Sequence, residues 1–424
     1  MRVLFTSFAL DAHFLGQVPL AWALRSAGHE VRVASQPTLT ATVTSAGLTA
    51  VPVGDDHAWL ESIAGSGDGG SDDGWNIALD LDPARPGIHH WPVLQAVNEQ
   101  MTSKFFAPAN NRSMVGELVE FARSWSPDLV VWEPFTPAGA IAAEVVGAAH
   151  ARLLWGADLV LEQRDWFLKE LAARPRAERA DPLADWLGGL LEPYGLAFEE
   201  RMVRGHWTID QMPAGIRLPL GERTVPMRYI PYNGPATIPP WLREPPERPR
   251  ICLTLGITGR NGAGYLGVPL AKLFDALADL DAEIVATLDA AQREEVPHLP
   301  DNFRAVDFVP LHALLPTCSA IAHHGGAGTW STAAAAGVPQ LLFPSVFDNF
   351  YRARRTAELG AGLVVPPAEL TSETLRAGLQ RLLQEKQFDD GAERLRREMQ
   401  ADPAPGEVVA QLVKLTREHQ GDPW

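Results

Sequence analysis

The chain has 424 residues, 46% of them hydrophobic, and a formal charge of −16 at pH 7. That length supports two ordinary domains, each with its own core, and the acidic balance argues against nucleic acid or an anionic membrane as a partner. It still permits an anion held locally, because a helix N-terminus supplies positive potential without a charged side chain.

Met1-Arg2-Val3-Leu4-Phe5-Thr6 leads directly into a strand. No secretory pattern precedes it and no apolar run approaches the ~18 residues of a membrane span, so a cytoplasmic protein is expected. Ser7 to Gly16 reads as a loop, Pro19 to Ala27 as a helix closed by Gly28, and Val31 to Ala34 as a strand. Pro37 to Ala46 is a helix and Ala50 to Val53 a short strand. This alternation predicts a parallel sheet with crossover helices. Dinucleotide-binding folds carry G-x-G-x-x-G after the first strand. Here Ser7-Phe8-Ala9-Leu10-Asp11-Ala12 stands in that place, so the first half has no phosphate cradle.

Gly65 to Gly74 is acidic and low in complexity. It reads as a surface insertion, with a lid or a partner contact as the alternative. His89 to Phe106 is richer in aromatics and reads as core or as the wall of an apolar pocket. Val115 to Trp125 is a helix, Leu129 to Trp132 a strand ending at Glu133-Pro134, Pro137 to Val146 a helix and Arg152 to Trp155 a strand. Asp158 to Phe198 reads as helices broken at Pro175, Pro182 and Pro193. The proline-rich stretch 226–249 predicts a stiff, extended linker between domains.

A second alternating unit starts at Arg250, with strands at Ile251 to Leu255, Ile284 to Thr287 and Phe303 to Phe308, a glycine-rich loop at 256–264 and a helix at Pro269 to Ala278. Cys252 and Cys318 sit in apolar runs without metal-ligand spacing and read as core residues. Ile321-Ala322-His323-His324-Gly325-Gly326-Ala327-Gly328-Thr329 then joins a buried strand to an Ala-rich helix through a glycine turn. Orphan N–H groups and the helix dipole make that junction an anion site. The bland alternative is a tight turn holding a core histidine. Gln340 to Pro344 is the next strand, and Asp348-Asn349 lies just past its carboxyl end, where open α/β sheets bind ligands. A phosphate site beside a carboxylate and an amide suits a nucleotide attached to a polyhydroxy group. Helical stretches at Ser372 to Gln384, Gly391 to Gln400 and Pro405 to Glu418 close the chain.

His324-Gly325-Gly326-Ala327-Gly328-Thr329, followed by Pro344 and Asp348-Asn349, resembles the donor signature of GT-B glycosyltransferases. The resemblance covers nearly the whole chain and is closest to actinomycete enzymes that put deoxysugars on polyketides. Trp132-Glu133-Pro134, Trp207-Thr208-Ile209-Asp210 and Tyr232-Asn233-Gly234-Pro235 resemble the desosaminyl and aminosugar branch of macrolide and anthracycline pathways. The resemblance implies two Rossmann-like parallel-sheet α/β domains facing a cleft. An N-terminal acceptor domain would span 1–225, a linker 226–249 and a nucleotide-sugar domain 250–403, with a final helix, 404–424, returning to the first domain.

It also implies roles. His13 would be the base that takes the acceptor hydroxyl proton, and Glu133 would orient it, be satisfied by backbone N–H groups, or pair with an ammonium. Thr258, the Val309 backbone, His324, Gly326, Ala327, Gly328 and Thr329 would hold the dTDP donor, and Asp348 and Asn349 its sugar. Many relatives have Asp-Gln where Asn349 stands. Trp91, Met101, Phe105 and Trp155 are the acceptor candidates. No metal and no cofactor are expected beyond the dTDP-sugar co-substrate, since Asp279-Leu280-Asp281 reads as a solvated helix end. The expected reaction is inverting transfer of a deoxysugar, foremost an aminodeoxysugar, to a polyketide hydroxyl. A nucleotide-sugar epimerase or hydrolase, or a non-catalytic nucleotide-sugar-binding subunit, is the alternative. The branch further implies a cytochrome-P450-like helper protein and leaves room for a homodimer.

Overall fold

Short apolar runs separated by helices give two wholly parallel sheets, in a computed structural model that describes residues 1–57, 80–221, 223–254 and 269–420. The chain forms two units, one of Met1–Met212, Arg217–Arg228 and Pro403–Trp424, the other of Pro213–Ile216 and Tyr229–Asp402.

The sheet of the first unit contains β1 (Arg2–Thr6), β2 (Glu30–Ser35), β3 (Ala50–Pro52), β4 (Leu129–Trp132), β5 (Ala149–Leu154), β6 (Trp207–Asp210) and β7 (Thr224–Pro226). Their order is β3-β2-β1-β4-β5-β6-β7. β4 and β5 are buried at every position, as strands covered by helices on both faces require. From β1 the chain builds outward through β2 and β3, then crosses to β4 on the other side, with Thr6 opposite Trp132. The strand order therefore reverses between β1 and β4, and the crevice beyond their carboxyl ends is the place where such sheets bind ligands.

The helices of this unit include α1 (Val18–Ser26), α2 (Trp91–Gln100), α3 (Arg112–Trp125), α4 (Ala138–Val146), α5 (Leu159–Ala172) and α6 (Pro182–Leu191). Asn111, Asp158 and Asp181 cap α3, α5 and α6 through their side chains. α2 runs on through a π-helical turn, Met101–Phe106. Two local expectations fail. Ser7 to Gly16 is not all loop, because Asp11–Phe14 forms a helical turn. Pro182 does not break a helix but opens α6, where its missing N–H costs nothing.

The second unit pairs β10-β9-β8-β11-β12-β13, namely Phe303–Val306, Glu283–Thr287, Arg250–Thr254, Ala320–His323, Gln340–Leu342 and Gly362–Val364. Its helices include α7 (Ala327–Ala336), α8 (Asn349–Glu358), α9 (Ser372–Gln384) and α10 (Gln387–Ala401). Ile251 and Ile284 enter the core on one face while Cys252 and Val285 enter on the other, the period-two signature of a strand. Residues 229–249, read as a linker, group with this unit, because Leu242 among the prolines is apolar and packs into its core. Burial raises both thiols, that of Cys318 to about 12.

The final helix, α11 (Pro405–Gln420), belongs to the first unit and packs on α1 and β5, burying Val408, Val409, Leu412 and Leu415. The chain reaches it where Arg228 N donates to Pro403 O at 2.8 Å. No helix among the described residues is long and apolar enough to cross a membrane.

Candidate active site

Because β1 and β4 are neighbours, the segments leaving them meet. His13 lies on the helical turn after β1, Glu133 is the first residue after β4, and His13 Nδ1 stands 3.3 Å from Glu133 Oε2. The carboxylate side chain is 1% exposed and the imidazole 14%. Three more donors face Glu133: Phe8 N at 3.2 Å from Oε1, and Phe135 N and Trp155 Nε1 each at 2.9 Å from Oε2. A carboxylate surrounded by N–H groups acts as an acceptor, so His13 Nδ1 carries the proton and Nε2 keeps its lone pair. That tautomer suits removal of a hydroxyl proton. Phe8, Trp155 and Phe135 surround the ring at 5.2, 5.1 and 5.3 Å between centroids.

His57 adds a member that the sequence reading missed. It stacks on Phe8 at 4.3 Å, and burial lowers its pKa. Nothing in the local sequence signals it, since a lone loop histidine is ordinarily a surface residue. The acceptor candidates separate. Trp155 touches His13 and Glu133 directly. Phe105 reaches the same cluster through Phe135 at 6.3 Å. Met101 lines a small cavity with Leu94, Val97 and Phe167. Trp91 stacks on Phe167 at 5.5 Å beneath the Arg174 guanidinium.

In the second unit, the order reverses between β8 and β11, and the glycine turn follows β11. Gly326 caps α7, whose first turn leaves Gly328 exposed and Thr329 half-buried. Gly325 has φ +92°, the left-handed region that favours glycine. A Cβ on Gly326 would lie 2.5 Å from His324 Nε2, so only glycine lets that imidazole sit against the turn. Burial, with Arg352 adding to it, pushes His324 down to about 4. His323 points the other way, into the core, where its Nε2 meets Gln340 Oε1 at 2.9 Å. Val309 buries its side chain in the core, which leaves its backbone as the part able to face a base. Ala327 is the first residue of α7. Thr258 lies outside the described residues, as do Gly65 to Gly74.

Asp348 and Asn349 share a partner that the sequence reading overlooked. Arg352, wholly buried, donates Nε to Asp348 Oδ2 at 2.6 Å, and Nη2 both to Asp348 Oδ1 at 3.1 Å and to Asn349 Oδ1 at 2.8 Å. Asn349 Nδ2 in turn donates to His324 O at 3.4 Å. The arginine thus offsets the carboxylate charge and holds Asn349, which links the pair to the His324 backbone. The i,i+4 spacing of Asp348 and Arg352 on one helix was the available signal. Asp279 is ion-paired with Arg376 and lies on the surface.

Glu144, His150 and His206 bring ligand atoms within 4.8 Å of one another, a metal-like grouping. Their nitrogens are already committed. Trp132 Nε1 donates to His150 Nδ1 at 3.1 Å, which puts the His150 proton on Nε2, 3.0 Å from Glu144 Oε1. His206 Nδ1 accepts from His150 N at 3.0 Å, and Arg201 covers Glu144 at 2.7 Å. The group is a hydrogen-bonded knot, and His419 of α11 joins it with its ring 4.1 Å from that of His206.

Comparison with known proteins matches the chain to one family. The N-terminal domain described as erythromycin biosynthesis protein CIII-like covers residues 22–256, and its C-terminal domain 271–415. The chain is 52% identical to an aklavinone 7-beta-L-rhodosaminyltransferase of Streptomyces galilaeus, over 99% of this chain and 97% of that protein. It is 50% identical to a 10-deoxymethynolide desosaminyltransferase of Streptomyces venezuelae, over 100% of this chain and 99% of the other. Among solved structures it resembles the glycosyltransferase VinC in complex with dTDP, with a TM-score of 0.88 and 45% identity over 99% of this chain and 100% of that one.

Proposed function

The chain belongs to the erythromycin biosynthesis protein CIII-like family, and from that premise we propose that it transfers a deoxysugar, foremost an aminodeoxysugar, from a dTDP donor to a polyketide hydroxyl, with inversion and without a metal. The observation that carries the reading is the pairing of His13 with Glu133, which leaves Nε2 as a proton acceptor. A protein that only bound a nucleotide sugar would need no such base. In the reaction, Nε2 takes the acceptor proton, the freed oxygen bonds to the anomeric carbon, and the bond from that carbon to the diphosphate breaks. Charge accumulates on the departing dTDP, where the N–H groups of the α7 start, His324 and Thr329 stabilise it. Asp348 and Asn349, held by Arg352, offer the sugar a rigid hydrogen-bonding edge. Similarity to the rhodosaminyl and desosaminyl transferases supports the aminosugar. The helper protein and the homodimer implied by the sequence resemblance belong to the same proposal.

The test is mass spectrometry of donor-by-acceptor mixtures in excess chelator, with the His13→Ala variant alongside. Product is expected only when both substrates are present, and the variant should lose about 10²–10⁴-fold in turnover. Donor altered without acceptor would turn the reading to epimerase or hydrolase. Activity that chelator removes and magnesium restores would end the metal-free mechanism.

A further inference from the structure

From the sequence, Trp155 is an acceptor candidate. The structure puts its one polar atom to internal use. Glu133 Oε2 receives three donors, Trp155 Nε1 and Phe135 N at 2.9 Å and His13 Nδ1 at 3.3 Å, whereas Oε1 receives Phe8 N at 3.2 Å. A carboxylate oxygen has two in-plane lone pairs. The two shorter donors fill them, and the imidazole, the longest of the three, takes what is left. The ring of Trp155 also stands edge-on to His13 at 5.1 Å, fixing the plane in which that imidazole can turn. We propose that Trp155 is a positioning residue for glycosyl transfer, which limits the strength of the Glu133–His13 hydrogen bond by occupying the shared oxygen. The inference rests on the proposed role of His13 as base.

A stronger bond from a carboxylate favours the imidazolium over the neutral ring. The indole N–H therefore limits how firmly Glu133 can hold the imidazole. Among the described residues, the carboxylates around this cluster are tied elsewhere, and His57 and His13 oppose each other's charge. Asp11, on the same turn, accepts from Thr42 Oγ1 at 2.7 Å. Asp56 accepts from Thr38 N at 2.8 Å, and its neighbour His57 lies across Phe8. Asp158, past β5, is paired with Arg152 at 2.7 Å.

The experiment is the pH profile of the Trp155→Phe variant, which removes the N–H and keeps an aromatic ring. With Oε2 freed, the acid limb of kcat/KM should move up by about 0.5–1 pH unit. At pH 7 kcat should fall about 3–10-fold with acceptor KM changed less than about twofold. The shift should vanish in a Glu133→Gln background, where no charged oxygen is left to release. An unchanged limb with a raised acceptor KM would overturn the proposal and return Trp155 to the acceptor. If the variant is too slow to assay, NMR titration of labelled imidazoles, with His13→Gln for assignment, reads the same quantity. An upward midpoint for His13 supports the proposal and an unmoved one overturns it. Full turnover in His13→Ala would instead defeat the base assignment itself, so the two failures are separable.

Discussion

His324 lies buried at the glycine turn before α7, and burial, with Arg352 adding to it, holds it down at about 4. It is therefore a neutral hydrogen-bond donor at neutral pH. A diphosphate arriving beside it favours the imidazolium and raises its pKa, so binding takes up a proton. The sign follows from linkage: affinity for the donor should rise as pH falls from 8 toward 6, by up to about tenfold for each unit through which the raised pKa is crossed. A dTDP-sugar is the right probe, because its diphosphate keeps the same charge over that range. Calorimetry across pH should show the trend in the parent enzyme and a flat line in His324→Gln. Equal slopes in both would assign the phosphate charge to the α7 start alone.

At the scale of the element, the β11-turn-α7 junction has glycine where His324 needs space and, on the proposed function, where the donor does. Gly326→Ala places a methyl group where His324 Nε2 now sits, 2.5 Å away. The imidazole must swing out, and donor affinity should fall about 10–100-fold while the melting temperature changes by only a few degrees. An affinity within twofold of the parent would mean that His324 does not meet the donor. This junction was legible in the sequence because strand, glycines and Ala-rich helix occur consecutively along the chain. β1, β2 and β4 were legible for the same reason, as local apolar runs. What was not legible depends on distant partners. β7 is three residues long and exists only by pairing with β6. The role of Trp155 needs β4 and β5 side by side, and His57 is placed by Phe8, far back in the chain. The turn that carries His13 is four residues long, too short for any periodicity to appear.

At the scale of the whole molecule, the knot of Glu144, His150, His206 and His419 fastens α11 to the first sheet. Burial, then the neighbouring imidazoles, lowers His206 to about 4, and burial likewise lowers His150. Both rings regain their ordinary pKa near 6.5 when unfolded. Between about 6.5 and 4 the unfolded chain therefore binds more protons than the folded one, and stability falls as the solution is acidified through that window. Glu144 adds a loss only lower down. Burial pushes it up, but hydrogen bonds from His150 and Arg201 outweigh that and hold it at about 2. Glu162, raised to about 7 by burial and nearby carboxylates, works in the opposite sense, so the informative quantity is the difference between parent and His206→Asn melting curves from pH 8 to 4.5. The parent should lose more on acidification, and parallel curves would remove the knot from the account. The same helix has a consequence for biosynthesis. A ribosome delivers α11 after every strand of both sheets, so the face of α1 and β5 that it covers stays bare while the second unit is being made. Gln420 Nε2 and Arg2 N bond to the two oxygens of Asp128, at 3.4 and 2.7 Å, so the start of β1 and the end of α11 are within reach of a short splice. A circularly permuted gene that places residues 403–420 ahead of β1 would supply the cover first, and should yield more soluble protein during rapid expression than the natural order does.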